Sequence, residues 1–547
     1  MKVFAELLDR LAYEPRRNGK LRLLTQYFAQ TPDPERGIAL AAITGGLDFK
    51  NAKPALIRGL VEARTDPVLF RLSYDYVGDM SETVALIWPA DHGVNMPPPT
   101  LEDVVEALAQ TGKAEMPALI ARWLDTLDET GRWALLKLIT GGLRIGVSAR
   151  LAKTAIAGLG DLKPNDIEEV WHGLLPPYES LFAWAEGKSE RPENDDPAPF
   201  APAMLAHPIE DGDFEKLDAS QFLAEWKWDG IRVQAASGTA KDGSVVKRLY
   251  SRTGDDISRA FPDLVDALPE NATLDGELLV LIDGRVQTFN TLQQRLNRKT
   301  VSKKLLESHP AHMRVYDVLR LDGEDVRSLP FVERRERLED LISGHGHPRL
   351  DLSSMVLFAD WQTLADARAD PATHGAGEDA NAVEGVMIKR ADSTYVPGRP
   401  KGPWWKWKRD PMLIDAVLMY AQRGHGKRSS LYSDYTFGVW KPGAEGPMLV
   451  PVGKAYFGFT DDELKKIDSF VRKNTLNRFG PVREVLHSED AGMVFEVAFE
   501  GLQRSTRHKS GVAMRFPRIS RLRWDKPPRE ADTLETVMAL LPESERA

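Results

Sequence analysis

The sequence contains no cysteine, and that absence excludes several kinds of site. Without thiols the chain cannot form disulfide bonds, use a cysteine nucleophile or bind zinc through thiolates. No apolar run approaches the length of a membrane span. The segment 1–20 is amphipathic and charged, unlike a signal peptide. We therefore expect a cytoplasmic protein without a membrane partner.

The chain also lacks a net positive charge, since its 547 residues carry a formal net charge of −9. Such a value by itself disfavours nucleic-acid binding. A run of basic residues is usually a solvated face, but a dense run on strands and loops also suits a polyphosphate or a DNA backbone. Such a run lies near the C-terminus, at Arg504, Arg507, Lys509, Arg515, Arg518, Arg521, Arg523, Lys526 and Arg529.

A chain of this length exceeds a single hydrophobic core, so about three domains are expected. Up to about residue 188, apolar residues recur at helical spacings, as in LEDVVEALAQ at 101–110. A segment rich in proline and charge follows, and its lack of periodicity indicates a linker. Beyond it, short alternating runs with Asp-Gly turns predict antiparallel hairpins, interrupted by one helix at 331–343.

After about residue 411 further short strands surround a helical segment, DDELKKIDSFVRKNTL, and this content suits a small closed barrel of the OB type. The expected fold is therefore multidomain. It comprises an all-α domain at 1–188, a linker at 189–208, an α+β antiparallel-sheet domain at 209–410 and a C-terminal OB-fold β-barrel at 411–547.

The stretch EWKWDGIR at 225–232 places a lysine between two tryptophans. Side chains alternate faces along a strand, so Glu225, Lys227 and Asp229 share one face. Trp226 and Trp228 share the other, and we expect them to face a core while the polar residues face a groove. An amphipathic surface strand that enters a turn would give the same pattern. The motif alone therefore leaves a nucleophilic lysine and an ordinary strand both open.

Further short motifs follow in an order that strengthens the nucleophilic interpretation. Each is ordinary alone, because a single glutamate is usually solvated and a tyrosine in a strand usually lies in the core. Together they supply two acids suited to a metal, several cations for phosphate and an aromatic ring for a base. These residues are Arg252 in SRTGDD, Glu277 in LDGELL, Tyr316 in RVYDVL, Glu384 and Lys389 in VEGVMIKR, and Lys406 and Lys408 in WWKWKR.

The ordered motifs resemble those of the covalent nucleotidyltransferases, and most of all those of the ATP-dependent DNA ligases of bacterial and archaeal type. The matching segments are KWDGIR, SRTG, LDGE, VYDVL, EGVMIK and WKWK. LKLITGGLRIGVSARLAKTAIA resembles the helical signature of the DNA-binding domain that precedes the catalytic core in larger ligases. MRFPRISRLRWDKP resembles the last motif of the family, R-x-D-K, at the end of the OB domain.

The resemblance implies that Lys227 attacks the α-phosphate of ATP, that AMP passes to a 5′-phosphate at a nick in duplex DNA, and that a 3′-hydroxyl then displaces it. The attacking amine must be neutral. The pKa of a free lysine, about 10.4, would have to fall to about 7.5. We expect the indoles, Lys406, Lys408 and bound Mg²⁺ to cause that fall. A monomer that acts in DNA replication, repair or recombination is expected.

Glu277 and Glu384 match the family's acids, which bind the metal, Mg²⁺ or Mn²⁺, or the ribose. Glu225 matches the position that reads the adenine amino group, and Tyr316 matches the ring that stacks on adenine. Asp229 has either a catalytic role or a structural one as the cap of its own turn. The remaining nucleotide-binding positions implied by the resemblance are Arg232, Arg252, Lys389, Arg399, Lys406 and Lys408. Arg399 is included because Pro400 stands where the family often has an arginine, and we favour Arg399 over Lys401 as its replacement.

Glu384 and Lys389 are an odd number of residues apart, so both can face the pocket only if the strand contains a bulge or a bend. By resemblance, Arg523, Asp525 and Lys526 orient the departing pyrophosphate, after which the domain swings away to clamp DNA. In the helical domain, the backbone amides of Gly141, Gly142 and Gly146 either approach DNA phosphates across the minor groove or simply interrupt helices.

Three alternatives compete with an ATP-dependent DNA ligase. An RNA ligase or a capping guanylyltransferase shares the lysine core but generally lacks a long helical N-terminal domain. An NAD-dependent DNA ligase should carry a zinc site built from cysteines, which this chain lacks. A catalytically inactive DNA-binding scaffold is disfavoured because every chemical position keeps a usable side chain.

Overall fold

The computed structural model describes residues 1–89, 97–143, 145–296, 298, 300–423, 431–444 and 446–546. The chain divides into two compact units, Met1–Trp407 and Lys408–Ala547. None of the helices in the described ranges combines the length and the apolarity that a membrane span requires.

The N-terminal part of the first unit is helical. Its helices are α1 (Lys2–Tyr13), α2 (Arg17–Gln30), α3 (Glu35–Thr44), α4 (Pro54–Glu62), α5 (Pro67–Val77), α6 (Met80–Ile87), α7 (Leu101–Gln110), α8 (Met116–Thr126), α9 (Glu129–Thr140), α10 (Ala149–Ala157), α11 (Pro164–Trp171) and α12 (Glu179–Ala185). Their apolar faces share one hydrophobic core, which extends from Met1 to Ala185.

Local sequence explains where these helices begin and end. Thr100 caps α7 and exchanges hydrogen bonds with Asp103 in a capping box, so the helix begins where the apolar periodicity starts. Gly141 ends α9 in a left-handed conformation with φ of 67°, which a residue without a side chain adopts readily. The predicted all-helical character of this part of the chain is confirmed for the described residues.

The rest of the first unit is built mainly from strands. They are β1 (His207–Pro208), β2 (Phe222–Trp228), β3 (Ile231–Thr239), β4 (Val245–Ser251), β5 (Ala272–Ile282), β6 (Arg285–Val286), β7 (Ala311–Leu321), β8 (Glu324–Asp325), β9 (Leu350–Leu352), β10 (Met355–Val356), β11 (Val383–Arg390) and β12 (Trp404–Lys408). The helices between them are α13 (Asp211–Phe214), α14 (Pro262–Val265), α15 (Phe289–Gln293), α16 (Lys303–Ser308), α17 (Phe331–His345) and α18 (Trp361–Ala369).

These strands form two sheets. One has the order β1-β12-β11-β2-β10, and the other has the order β4-β3-β5-β7-β8, with β6 beside β5 and β9 beside β7. The predicted hairpin at Asp229-Gly230 is wrong, because β2 pairs with β10 and β11 whereas β3 pairs with β4 and β5. The turn instead carries the chain from one sheet to the other. A Cβ atom on Gly230 would lie 2.5 Å from the carbonyl oxygen of Leu278, so only glycine fits there.

The segment predicted as a linker is attached to the second of these sheets. Gln234 on β3 accepts a hydrogen bond from the backbone N–H of Ala201 at 2.6 Å and donates one to its carbonyl at 3.0 Å. Tyr250 on β4 donates a hydrogen bond to the carbonyl of Ala198 at 2.8 Å. The proline-rich composition therefore accompanies an ordered path along β3 and β4.

The second unit contains a seven-stranded sheet with the order β15-β14-β13-β17-β16, in which β18 pairs with both β13 and β21. Its strands are β13 (Met412–Arg423), β14 (Tyr432–Lys441), β15 (Met448–Ala455), β16 (Thr475–Phe479), β17 (Val482–Val485), β18 (Val494–Phe499), β19 (Gly501–Arg504), β20 (Val512–Arg515) and β21 (Arg518–Leu522). Its helices are α19 (Asp461–Lys473), α20 (Leu534–Ala539) and α21 (Glu543–Arg546). β19 and β20 form a separate two-stranded sheet.

Candidate active site

Lys227 lies on β2 between two buried tryptophans. Trp226 and Trp228 are 2% and 4% exposed and belong to one core cluster with Val386 and Trp405. The side chain of Lys227 keeps 24% exposure on the opposite face. The predicted tryptophan face of β2 is therefore confirmed, whereas Glu225, which was expected to face a groove with Lys227, is buried.

Glu384 contacts Lys227 because β11 contains a bulge. Lys227 is paired with Gly385 and Trp228 with Val383, and the register shifts between these two pairs at Glu384. The Lys227 Nζ donates a hydrogen bond to Glu384 Oε2 at 2.5 Å. Beyond the bulge, Lys389 is paired with Leu223 and shares the face of Lys227. The bulge that the odd spacing of Glu384 and Lys389 required is present.

Glu277 approaches the same lysine from the other sheet. It lies on β5 directly opposite Arg232 on β3. Burial, together with the charges of Glu384 and Asp229, raises the pKa of Glu277 to about 8. These effects outweigh the charges of Lys227 and Arg232, which lower that pKa.

The pKa of Lys227 itself differs from the expectation. Burial would lower it, but the charges of Glu384 and Glu277 together outweigh burial, and the pKa lies above its ordinary value. The prediction that indoles and neighbouring lysines lower the pKa of Lys227 is therefore wrong for the protein on its own. The indoles lie on the opposite face of β2, and Lys408 forms an ion pair with Glu500 at 2.8 Å.

Glu225 is held by two cations below the surface of the pocket. Its Oε2 accepts a hydrogen bond from Lys389 Nζ at 2.9 Å, and its Oε1 accepts one from Arg335 Nη1 at 3.1 Å. Glu225 and Lys389 are each 1% exposed. Burial raises the pKa of Glu225 and lowers that of Lys389, and each charge counteracts the shift of the other. Lys389 also lies 4.6 Å from the centre of the Tyr316 ring.

Tyr316 occupies a second bulge, because Asp275 is paired with Asp317 while Gly276 is paired with Val315. Its hydroxyl lies 3.4 Å from Asp275 Oδ1. Asp275 also binds Arg232 through two hydrogen bonds of 2.5 and 3.0 Å. Arg232 is thus fixed in a fork–fork pair with a carboxylate that the sequence analysis did not single out.

Arg252 and Arg399 supply positive charge on the exposed side of the pocket, and both are exposed. Burial lowers the pKa of Arg252, and the charges of Arg232 and Arg399 lower it further, so these three guanidinium groups are near one another. Lys406 lies on β12, in the same sheet as Lys227 and separated from β2 by β11. Trp405 is buried in the core cluster of Trp226 and Trp228, as expected.

The residues of the last motif form their own ion-pair cluster in the second unit. Arg523 binds Asp525 at 2.8 Å and Asp415 at 2.8 Å, and Lys526 Nζ binds the same Asp415 oxygen at 2.7 Å. Residues that the sequence analysis missed are thus Asp275, Arg335 and Asp415. Each is an ordinary charged residue in a strand or helix, and only the three-dimensional pairing distinguishes it.

Comparison with known proteins agrees with this arrangement of motifs. Residues 203–408 match the model of the ATP dependent DNA ligase domain, and residues 428–526 match that of the ATP dependent DNA ligase C terminal region. A probable DNA ligase of Koribacter versatilis is 35% identical over 460 residues, which cover 80% of this chain and 77% of that protein. The chain belongs to the ATP-dependent DNA ligase family.

The similarity of this ligase to one further relative extends over nearly the whole chain. DNA ligase 1 of Korarchaeum cryptofilum is 30% identical over 556 residues, covering 98% of this ligase and 97% of the relative. The solved structure named Pmar-Lig_PreS3 covers 95% of this ligase with a TM-score of 0.54 at 16% identity, which supports the fold. As a member of the family, the chain is an ATP-dependent enzyme that seals nicks in DNA.

Proposed function

We propose that this ligase seals nicks in duplex DNA through an AMP that is first bound covalently to Lys227 Nζ. The contact between Lys227 Nζ and Glu384 Oε2, at 2.5 Å, is the observation that carries this proposal. It places the amine of the matching motif in a pocket shared with Glu277 and backed by the buried face of β2. A lysine on an ordinary surface strand is not expected to lie close to two carboxylates from different sheets.

The first chemical step requires a neutral amine, because an ammonium group has no lone pair. The contact with Glu384 Oε2 stabilises the ammonium form of Lys227, so it has to be given up before Nζ loses its proton to solvent. The P–N bond to the α-phosphorus then forms as the bond to the bridging oxygen breaks, and pyrophosphate leaves. The AMP next passes to the 5′-phosphate of the nick, which frees Lys227. Finally, the 3′-hydroxyl attacks that phosphate and releases AMP.

Glu277 and Glu384 would hold a divalent cation, Mg²⁺ or Mn²⁺. The described residues contain no cluster of three or more acidic or histidine side chains suited to a metal. Two carboxylates together with substrate phosphates are, however, a common arrangement for Mg²⁺. The raised pKa of Glu277 fits this role, since a buried carboxyl group beside other carboxylates would be stabilised in its charged form by a bound cation. When bound, the ion supplies positive charge against the phosphate oxygens.

The adenine base and the phosphates of ATP would contact different side chains. Glu225 would accept a hydrogen bond from the adenine amino group, with Lys389 acting on the nucleotide through Glu225, and Tyr316 would stack on the base. Phosphate and ribose would be contacted by basic residues near the pocket and in the last motif. These are Arg232, Arg252, Arg399, Lys406 and Lys408, followed by Arg523 and Lys526 with Asp525, which orient the pyrophosphate.

The domain assignment belongs to the same proposal. The helical region 1–188 would bind DNA, 189–208 would connect it to the adenylation domain at 209–410, and 411–547 would form an OB-fold barrel that moves between steps. The strand pairings of β13, β14, β15, β18 and β21 support a barrel-like sheet. A cytoplasmic monomer that acts in replication, repair or recombination stays a prediction.

The test is incubation with ATP and Mg²⁺, followed by a mass measurement of the peptides. We expect the protein to gain one AMP on Lys227 when it is given ATP, and to gain no GMP when it is given GTP. Lys227→Ala should abolish this gain and the sealing of ordinary nicks, yet retain sealing of a nick whose 5′-phosphate already carries AMP. The exposed Lys216 supplies a control, and Lys216→Ala should change neither activity. Undiminished sealing by Lys227→Ala, or AMP on another side chain, would refute the assignment.

A further inference from the structure

Asp415 is a buried carboxylate that binds two cations of the last motif at once. It lies on β13, and its side chain is 11% exposed. Arg523 Nη1 and Lys526 Nζ both donate hydrogen bonds to its Oδ2, at 2.8 and 2.7 Å. Because one oxygen receives both groups, the guanidinium and the ammonium are held next to each other.

The position of Asp415 is itself fixed by the strands around it. Its backbone N–H donates a hydrogen bond to Asp532 Oδ2 at 2.7 Å, and its carbonyl accepts one from the backbone N–H of Asp532 at 2.8 Å. On the other side, Asp415 is paired with Glu496 on β18, which pairs in turn with β21 just before Arg523. The carboxylate is therefore part of the rigid sheet, and the two cations are attached to it.

Asp525 is the other carboxylate in contact with Arg523, and it differs from Asp415 in exposure. Its side chain is 69% exposed, and it receives only the Nε and Nη2 edge of the guanidinium. An incoming phosphate oxygen can compete for that exposed edge. The buried contact between Arg523 and Asp415 is less accessible to that phosphate oxygen. Arg523 therefore remains bound to Asp415 while the outer edge of its guanidinium changes partner.

We propose that Asp415 is the positioning residue that presents Arg523 and Lys526 as a paired receptor for the departing pyrophosphate of ATP. This inference rests on the proposed role of those two cations in the adenylylation of Lys227. Long basic side chains lose rotamer freedom when they converge on an anion. Asp415 imposes much of that ordering before ATP arrives, so its loss affects the step that releases pyrophosphate.

The individual reaction steps distinguish a positioning role of Asp415 from a general effect on stability. Formation of the lysyl-AMP releases pyrophosphate, and its reversal consumes pyrophosphate. Sealing of a nick that already carries AMP on its 5′-phosphate involves no pyrophosphate. A change that misplaces Arg523 and Lys526 therefore slows the first reaction in both directions and spares the last, whereas partial unfolding slows all of them.

The experiment compares Asp415→Asn and Asp415→Glu with Asp468→Asn in the full chain. Asp468 is a matched control, because its side chain is also 11% exposed and forms an ion pair with Arg472 on α19, away from the last motif. Three rates are measured: lysyl-AMP formation across ATP concentrations, AMP release by added pyrophosphate, and sealing of the pre-adenylylated nick. Melting temperatures report the stability of each variant.

Asp415→Asn should slow lysyl-AMP formation and pyrophosphate-driven reversal by ~10- to 100-fold, the usual loss when a supporting carboxylate is removed. Sealing of the pre-adenylylated nick should change by less than about 2-fold. Asp415→Glu keeps the charge and should show a smaller loss confined to the same two rates, which maintains the test if the Asn variant does not fold. Asp468→Asn should lower the melting temperature without a step-specific effect.

Equal losses at all three rates, or an unchanged rate of lysyl-AMP formation, would overturn the inference. Arg523→Ala distinguishes this failure from failure of the underlying proposal. If Arg523→Ala also leaves lysyl-AMP formation unchanged, then the proposed role of the last motif is wrong. If Arg523→Ala slows that step and Asp415→Asn does not, only the role of Asp415 is wrong.

Discussion

The buried ion pair of Glu225 and Lys389 allows a quantitative prediction. Lys389→Met removes a cation that is 1% exposed and leaves Glu225 facing Arg335 alone. Loss of one partner from a buried pair costs about 3–5 kcal/mol, because the other charge stays buried without full compensation. The contact between Arg335 and Glu225 is retained, so we expect local stability to fall by about 3 kcal/mol, the lower end of this range.

The converse change and the double change complete the cycle. Glu225→Gln leaves Lys389 buried beside Arg335 without the carboxylate, and it should cost at least as much. The double variant removes both members of the pair, so its loss should be smaller than the sum of the two single losses. Residues in direct contact typically show coupling energies of about 0.5–3 kcal/mol, and we expect the upper part of that range.

Local stability is best measured by hydrogen exchange of the amides in β2 and β11, which pair with each other and carry Glu225 and Lys389. A chain of two compact units does not justify a single unfolding free energy for the whole protein. Protection factors of these strands in the four proteins give the coupling directly. Additive losses, or a loss below about 1 kcal/mol for Lys389→Met, would show that the pair is not a strongly coupled buried interaction.

Two further predictions concern His172 and the loop that follows β4. Burial lowers the pKa of His172 to about 4, whereas the unfolded chain binds that proton near pH 6.5, so stability should fall by about 3 kcal/mol as pH drops through this window. The stability of His172→Phe, measured from pH 7.5 to 4, should not show this decrease. If stability falls in parallel with pH in the variant and in the original protein, the prediction is wrong. Gly254→Ala should weaken ATP use, because its φ is +85° and its Cβ would meet Phe200 at 3.0 Å, displacing the loop of Arg252. Gly243→Ala shares the φ of +85° but meets open space, so ATP titration of lysyl-AMP formation should separate the two.

The four Asp-Gly dipeptides within the alternating runs FLAEWKWDGIRVQAA, ATLDGELLVLIDGRV and HMRVYDVLRLDG show how far the sequence alone predicts the fold. Two of them, Asp283-Gly284 and Asp322-Gly323, form the predicted hairpins, β5 to β6 and β7 to β8. Asp229-Gly230 instead joins two sheets, and Asp275-Gly276 lies inside β5. Turn chemistry indicates where a chain can bend, but the choice of partner strand depends on contacts distant in sequence.

Prediction of the candidate site from the sequence has the same limit. Alternation along β2 correctly predicted which face holds the tryptophans, because that pattern is local. The odd spacing of Glu384 and Lys389 indicated that a bulge or a bend was needed, but the positions of the bulges at Glu384 and Tyr316 depend on the register with the neighbouring strands. The raised pKa of Lys227 in the protein on its own was not predicted for a similar reason, since Glu277 and Glu384 approach it from separate strands.

The cations of the pocket have carboxylate partners within the protein, and this has a consequence for nucleotide binding. Lys227 is bound to Glu384 and Arg232 to Asp275. A triphosphate that drew Lys227 towards itself without a cation of its own would leave Glu384 and the buried Glu277 beside added negative charge. Glu277 and Glu384 would hold a divalent cation that arrives with the triphosphate, and its positive charge would replace that of Lys227 beside both carboxylates. The ion pair with Glu384, which keeps the pKa of Lys227 high, would then be relieved.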